Sequence, residues 1–335
     1  MLIVLCMLLV RSKQKVWLVY PLLIAETLLV AFFEPARNAV IPNIVEREDV
    51  VVANTLSSTT WSVNLMVGAT LGGVVAALLG RDAVFVLNAL SFLASAALIW
   101  GMRFAEPHAE GRPFRVRELV DFSPIVAGIR YVRSQVRLRA TIFVKAGNLI
   151  IGPGWVLFTV MGQNEFSVRW HGMAPERGAF LGMSLLLGAR GLGALLGPLM
   201  AASWAGHWRH RLEIAILWGY LGAAAGYTLL GVSGHLWEAC LCVALAHFGS
   251  SIVWVFSTTL LQMQSEDKFR GRVFAADLGL SMLTIAAGAY LAGHFVDWGF
   301  AARHVASVAG MLMLIPAGLW GLAVRRNAAA AFSVD

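Results

Sequence analysis

The stretch FFEPARNAVIPNIVEREDVVVANTLSSTTWSVNLMVGATLGGVVAALLG, residues Phe32–Gly80, decides how this chain folds. An apolar segment ends in a charged, proline-marked turn, and a second apolar segment follows that carries Gly68, Gly72 and Gly73. The four-residue spacing of Gly68 and Gly72 puts both on one helix face, where a neighbouring backbone can come close. This pattern predicts a tight helix–helix seam; a hinge or gate between moving helices is the alternative interpretation.

The composition is that of a protein that crosses a membrane several times. Of 335 residues, 59% are hydrophobic and 13% are charged, whereas soluble domains have about 45–50% and 25%. Backbone groups in lipid must be hydrogen-bonded within their own segment, so these segments are expected to be helices. The net charge of +7 is spread over the loops instead of forming one patch, which argues against a nucleic-acid partner.

Nine apolar segments have roughly the 20 residues that a membrane-spanning helix needs. They are Val16–Ile41, Ala53–Leu79, Ala83–Met102, Leu138–Met161, Gly178–Trp204, Leu212–Val232, Leu236–Leu261, Val273–Val296 and Ala301–Val324. Residues 1–10 form a shorter apolar stretch, which we interpret as the end of a further helix. The sequence therefore predicts an all-α polytopic membrane protein with about nine full spans and one partial span.

Residues 103–137 form an arginine-rich linker between the third and fourth segments. Five apolar residues within it recur at helical spacing: Leu119, Phe122, Val126, Ile129 and Val132. This spacing predicts an amphipathic helix at the membrane surface, with a plain tether as the alternative. The loops on the linker's side of the membrane carry more Lys and Arg than the alternate loops, so we predict that they and the C-terminus, residues 327–335, face the cytoplasm.

The two halves of the sequence resemble each other when one is shifted by about 220 residues. Gly68–Gly73 then aligns with Gly288–Gly293, and Glu46–Asp49 aligns with Glu266–Phe269. The second half, residues 138–326, has six full segments, whereas the first half, residues 1–102, has three and a partial one. The repeat predicts that two and a half helices, on the order of 80 residues, are missing from the first bundle.

Six motifs carry a family resemblance. They are FFEPARNAVIPNIV at Phe32–Val45, ANTL at Ala53–Leu56, GATLGG at Gly68–Gly73, FVLNALSFLASA at Phe85–Ala96, GARGLGALLGP at Gly188–Pro198 and FRGRVFAAD at Phe269–Asp277. With them the chain resembles the major facilitator superfamily, and in particular its bacterial macrolide-efflux and enterobactin-exporter branch. The resemblance implies two helical bundles, a remnant of the first in residues 1–102 and a complete second in residues 138–326, and secondary transport.

Ionisable side chains deep inside apolar segments are costly and are candidates for function. Glu26 lies near the middle of its segment, where a buried carboxyl can exchange a proton near neutral pH; a structural hydrogen bond is the alternative. Arg190 cannot readily lose its charge, so it must meet water, an anionic substrate or a carboxylate such as Glu26. Lys145 and Asn148, less than one helical turn apart, complete this predicted set of proton-coupling or substrate contacts.

Three further sets of residues have predicted structural roles. A charge lock at the cytoplasmic ends of the helices is predicted for Glu34, Arg37, Arg270, Arg272 and Asp277. Close helix packing is predicted for Gly68, Gly72, Gly73, Gly288 and Gly293. Interhelical hydrogen bonds are predicted for Asn64, His247 and Gln262.

The predicted function is export of a small amphipathic compound (a drug, a macrolide or a siderophore-like molecule) from a bacterial plasma membrane, with antibiotic resistance as a consequence. The chain is predicted to be a monomeric proton antiporter that alternates access, with the bilayer, a proton and the substrate as partners. It has no Walker loop, GxSxG elbow or HExxH motif, so we predict no enzyme activity, cofactor or metal. The alternatives are a lysolipid flippase of the same fold, an inactive remnant, and a membrane-embedded enzyme.

Overall fold

The computed structural model describes residues 1–79, 81–103, 123–147, 152–168 and 175–332. Over these ranges the chain consists of helices and turns, with no strand. In chain order the α-helices are α1 (Leu2–Cys6), α2 (Val19–Ile44), α3 (Val50–Leu79), α4 (Arg81–Trp100), α5 (Ser123–Ser134), α6 (Val136–Val144), α7 (Gly154–Asn164), α8 (Pro175–Ala205), α9 (Arg209–Leu230), α10 (Leu236–Gln264), α11 (Asp267–Asp297), α12 (Ala302–Leu312) and α13 (Leu314–Phe332). The all-α fold predicted from the sequence is confirmed.

Seven helical stretches of the described part are long and apolar enough to cross a membrane. They are Lys13–Ile44, Asp82–Trp100, Leu181–Ala205, Arg209–Leu230, Leu236–Gln264, Asp267–Asp297 and Ala302–Arg326. In addition, α3 covers the predicted segment Ala53–Leu79 as one unbroken helix. The chain is therefore a polytopic membrane protein.

The predicted segment Leu138–Met161 differs from expectation, because it is divided into α6 and α7 with a 3-10 turn at Lys145–Gly147. Four residues that disfavour a helix interior fall within it: Gly147, Gly152, Pro153 and Gly154. In a helix they cost roughly 1 kcal/mol for each glycine and 3 kcal/mol for the proline relative to alanine. The carbonyl of Val144, at the end of α6, accepts a hydrogen bond from the Tyr220 hydroxyl, so a side chain of α9 satisfies the broken helix end.

The hydrophobic core lies in the second half and is centred on α10, which packs most extensively against α9 and α8. Glycines permit this approach, since a Cβ at Gly193 or Gly197 of α8 would collide with the carbonyl oxygens of Ala244 or Phe248 on α10. More than half of the most apolar stretches of α9 and α10 is buried, whereas no residue is buried in that of α2. The second half is thus the well-packed part of the molecule.

The first half meets this core through two helices. α3 packs against α8 and α10, and α2 packs against α11. α4 contacts α3 and the N-terminal α1, and only 6% of its most apolar stretch is buried.

A helix occupies the described part of the predicted linker, and it is α5; residues 104–122 lie outside the described part. Val126 and Ile129 on this helix are about half exposed. Tyr131 attaches α5 to the second half, because its ring stacks on Phe269 at 4.3 Å and its hydroxyl accepts a hydrogen bond from the Glu266 amide at 3.0 Å.

Candidate functional site

A buried ion pair joins two residues that the sequence singled out for different roles. Nζ of Lys145 lies 2.6 Å from Oδ2 of Asp277, and the two side chains are 3% and 5% exposed. The same ammonium donates to Oγ1 of Thr258 at 2.9 Å and lies 4.5 Å from the ring centroid of Trp254. A carboxylate from α11, and a hydroxyl and an aromatic ring from α10, therefore surround the Lys145 ammonium.

The ion pair lies well away from the residues at which α6 and α11 begin. Asp277 follows the first residue of α11, Asp267, by ten positions, which is about 15 Å along the helix axis. Lys145 directly follows α6, which begins at Val136, so its distance from that helix start is about 13 Å. Both charges therefore lie inside the helix bundle and within apolar stretches of the sequence.

One oxygen of the Asp277 carboxylate has no hydrogen-bond donor among the described residues. In that part of the chain nothing bonds Oδ1 of Asp277 or the hydroxyl of Ser281, one turn further along α11, although both atoms are buried. A buried polar atom without a partner costs roughly 1–3 kcal/mol, and in a native structure it calls for an explanation such as function. Oδ1 is a place where a proton or another donor can bind.

The same face of α11 also contacts the first half of the chain. Arg270 lies seven residues before Asp277, two helical turns away, and both are buried. NH1 of Arg270 donates to Oδ1 of Asn43 at 3.0 Å and to the carbonyl of Ala39 at 3.2 Å. Its charge is balanced by Asp267 at 2.8 Å. One helix face thus connects the buried ion pair with a polar contact to α2.

A second group of hydrogen bonds joins α2 and α3 to α10. The Asn54 amide donates to Oε1 of Gln262 and to Oγ1 of Thr259 at 3.1 Å, and the Gln262 amide donates to the carbonyl of Asn38 at 2.9 Å. Gln262 therefore forms interhelical bonds, whereas sequence reasoning missed Asn54 and also Asn43. The available signal was an amide side chain within or beside an apolar segment.

The five residues predicted to form one charge lock are divided among separate contacts. Glu34 and Arg37 pair with each other on α2 at 2.9 Å. Arg270 binds an amide and a carbonyl of α2 instead, and Arg272 lies 5.5 Å from an aromatic ring of its own helix. Asp277 is instead part of the buried ion pair with Lys145.

Arg190 and Glu26 are placed on different helices. The Arg190 guanidinium carbon lies 3.9 Å from the ring centroid of Trp155, and the charge interacts with Tyr227 and His247. Within the part of the chain that the structure describes, no carboxylate forms an ion pair with Arg190. Glu26 is half-buried on α2, which packs against α11.

The remaining predicted residues are only partly covered. Asn148 lies outside the described residues, and so do the side-chain surroundings of Gly68, Gly72 and Gly73. No atom of the described residues lies within 4 Å of the place that a Cβ at Gly293 would occupy, so none of them makes the close approach predicted there. Among the residues that are described, no group of three or more His, Cys, Asp or Glu side chains could hold a metal ion.

Comparison with known proteins identifies relatives over nearly the whole chain. The family described as Transmembrane secretion effector matches residues 1–331. The MFS-type transporter YfmI of Bacillus subtilis is 25% identical over 91% of this chain and 72% of its own length. An MFS-type transporter of Mycobacterium tuberculosis is 24% identical to this chain. The aligned region covers 74% of this chain and 56% of that relative's length. The crystal structure of the Escherichia coli fucose:proton symporter FucP aligns over 92% of this chain and 77% of its own, with a TM-score of 0.63 at 13% identity.

Proposed function

This chain belongs to the transmembrane secretion effector family of major facilitator transporters, and from this we propose that it exports a small amphipathic compound in exchange for protons. In this proposal the two halves rock against each other so that a central site faces the two sides of the membrane in turn. The family description favours the outward direction. FucP, a proton symporter of the same fold, supports the proton as the coupling ion.

The observation that carries the proposal is the Lys145–Asp277 pair with its unbonded carboxylate oxygen. Separating a buried pair leaves two uncompensated charges, which is strongly unfavourable. A proton that binds Oδ1 neutralises Asp277, weakens its attraction to Lys145 and so makes separation less costly. Protonation and a change in helix arrangement are therefore linked in this site.

α11 connects this event to the contact between the halves. Arg270 and Asp277 share one face of a continuous helix, so a shift of α11 that separates the ion pair also moves Arg270 relative to Asn43. We assign the Arg270 contact to the cytoplasmic gate, which is the side where basic loop residues predominate. Glu26, which the sequence also indicated for coupling, lies on the helix that this gate holds.

Export is tested in a bacterial host that lacks its own drug pumps, by measuring tolerance to a broad panel of amphipathic compounds with and without an uncoupler. We expect the chain to raise tolerance to some compounds, and the uncoupler to abolish this effect. Asp277→Asn should remove it as well. The matched control is Glu165→Gln, which changes a carboxylate paired with Arg303 at 2.8 Å away from the proposed site. Unchanged tolerance across the panel would refute export.

A lipid or lysolipid flippase is the second candidate, and a cavity favours it. This cavity of about 340 Å³ lies between α7, α11 and α12 and is lined almost wholly by apolar side chains such as Leu291, Phe295 and Leu312. An acyl chain is the kind of ligand that such a lining would accept. Uptake of a fluorescent lysolipid into spheroplasts, without any change in drug tolerance, would support this candidate over export.

A further inference from the structure

Arg190 differs from most other buried or half-buried cations of the second half, because they form ion pairs. Lys145 pairs with Asp277 at 2.6 Å, Arg209 with Glu213 at 2.8 Å, and Arg270 with its own helix's Asp267 at 2.8 Å. Among the described residues, Arg190 forms no ion pair, and its guanidinium donates no hydrogen bond to a described group. The polar groups recorded around it are Tyr227 and His247, which bond to each other at 3.4 Å and supply no negative carboxylate.

A charge in this position needs a partner because it cannot be removed by deprotonation. An arginine guanidinium does not give up its proton in proteins, so Arg190 stays charged. Arg190 is also equally far from both ends of α8, fifteen residues from Pro175 and fifteen from Ala205. An arginine at the centre of a membrane helix is costly and marks a ligand pathway or an ion pair.

The surroundings leave room for a ligand. The guanidinium carbon of Arg190 lies over the Trp155 ring, 3.9 Å from its centroid. Trp155 itself is 50% exposed. A guanidinium can donate two charge-assisted hydrogen bonds to the acidic group of a ligand. The exposed aromatic ring beside it can pack against the apolar carbons of the same ligand.

The helix that carries Arg190 lies at the junction of the two halves. α8 packs against α10 of the second half and against α3 of the first. A ligand held by Arg190 is therefore placed where movement of one half against the other can change its surroundings.

We propose that Arg190 and Trp155 form the binding site for the acidic group of an anionic amphiphile, a carboxylate, sulfonate or phosphate ester with an apolar body. This inference rests on the proposed function, which it narrows to acidic substrates. The Lys145–Asp277 pair is neutral overall, so Arg190 supplies the excess positive charge that selects an anion. A cationic amphiphile would meet that charge without compensation and would be rejected.

The first test measures ligand selectivity with the purified full chain in a neutral detergent. Thermal unfolding is followed with decanoate, decyl sulfonate, decanol and decyltrimethylammonium at equal concentrations, so that the head group alone differs. We expect the two anions to raise Tm, and the alcohol and the cation to leave it unchanged. An equal effect of decanol, or a larger effect of the cation, overturns the proposal.

The second test uses variants that change only this site. Arg190→Gln should weaken binding of decyl sulfonate at least tenfold, whereas Arg190→Lys should weaken it only a few-fold because the charge remains. Trp155→Leu should weaken it by an intermediate factor. The control is Arg303→Gln, which removes a different guanidinium, one that is paired with Glu165, and should bind as the wild type does. If Arg190→Gln does not fold, Arg190→Lys and Trp155→Leu still decide the matter, and unchanged binding in both overturns the site.

The acidic group can come from a free compound or from a lipid head group, and lipid nanodiscs separate these sources. Phosphatidylglycerol has a net negative head group, whereas that of phosphatidylcholine is zwitterionic. Loss of decyl sulfonate binding when phosphatidylglycerol replaces phosphatidylcholine shows that an anionic phospholipid head group fills the site. Undiminished binding shows that the free acid is preferred, and either result supports an anion site. Export of acidic compounds that is unchanged in Arg190→Gln would refute this inference alone, whereas selective binding without any export would refute the proposed function alone.

Discussion

Arg270→Gln should open the contact between α2 and α11. In the structure, the guanidinium donates to Asn43 at 3.0 Å and to the carbonyl of Ala39 at 3.2 Å, and it is paired with Asp267 at 2.8 Å. Glutamine is too short to keep both bonds to α2 and carries no charge. The direct hydrogen bond from Asn43 to Asp267 at 3.0 Å remains, so the contact is weakened without being removed completely.

The size of the effect follows from the bonds that are lost. A hydrogen bond from a charged donor contributes roughly 1.5–3 kcal/mol. Two such bonds are lost here, part of the contact survives, and water replaces some of the lost interaction. We expect the closed arrangement to lose about 2–3 kcal/mol, which lowers its population relative to the open one about 30- to 150-fold.

Spin labels at two exposed positions near this contact, Arg47 on the first half and Lys268 on the second, report the change as a distance distribution. The labels are placed in a variant without native cysteines, because Cys6, Cys240 and Cys242 would also react. The parent should show mainly the short distance, and Arg270→Gln should add a longer population. Arg303→Gln, whose lost ion pair lies entirely within the second half, is the control and should match the parent. An unchanged distribution in Arg270→Gln would show that these bonds do not hold the halves together.

Three further predictions concern packing and attachment of the helices. Gly193→Ala should lower Tm because the new Cβ collides with the carbonyl of α10, whereas Gly191→Ala, which meets no atom within 4 Å, should leave Tm unchanged or raise it slightly. Trp320→Phe should destabilise the protein by roughly 0.5–1.5 kcal/mol in chemical unfolding, because its indole N–H donates to the Glu213 carbonyl at 2.9 Å and this one hydrogen bond is lost while the carbonyl keeps its bond within α9. Tyr131→Leu should raise hydrogen exchange in α5 without affecting α10, since it removes the ring stacking and the hydrogen bond that attach α5 to α11; equal protection of α5 in both proteins would contradict this attachment.

The fold was predictable because lipid imposes simple requirements on a sequence. Apolar length located seven of the nine predicted segments as single α-helices, since an apolar segment in a bilayer has few alternatives to the helix. Ala301–Val324 is divided into α12 and α13 at Met313. The division of Leu138–Met161 was harder to predict, because Gly147, Gly152 and Pro153 are tolerated in some membrane helices. The break is stabilised by the hydroxyl of Tyr220 on α9. The position of Tyr220 in the sequence does not reveal this contact.

The site was predicted as individual residues and not as an arrangement. Lys145, Arg190 and Asp277 were recognisable because a charge within an apolar segment is expensive. That Lys145 meets Asp277 depends on how α6 and α11 are packed, which no periodicity reveals. Thr258 and Trp254 are ordinary residues of an apolar helix, and only the fold brings them to the Lys145 ammonium. The amide contacts of Asn43 and Asn54 were missed for the same reason.

The uneven packing of the two halves affects how the protein is made. The ribosome delivers the first half first, yet the most apolar stretch of α2 has no buried residue and that of α4 very few. Until α8 and α10 have been inserted, α3 has no partner from the second half and is surrounded chiefly by lipid. α2 stays without its packing partner for longer, because α11, which carries Arg270, is synthesised later still. A nascent chain that stops before α11 would therefore remain unassembled in the bilayer and be exposed to the proteases that degrade orphaned membrane segments.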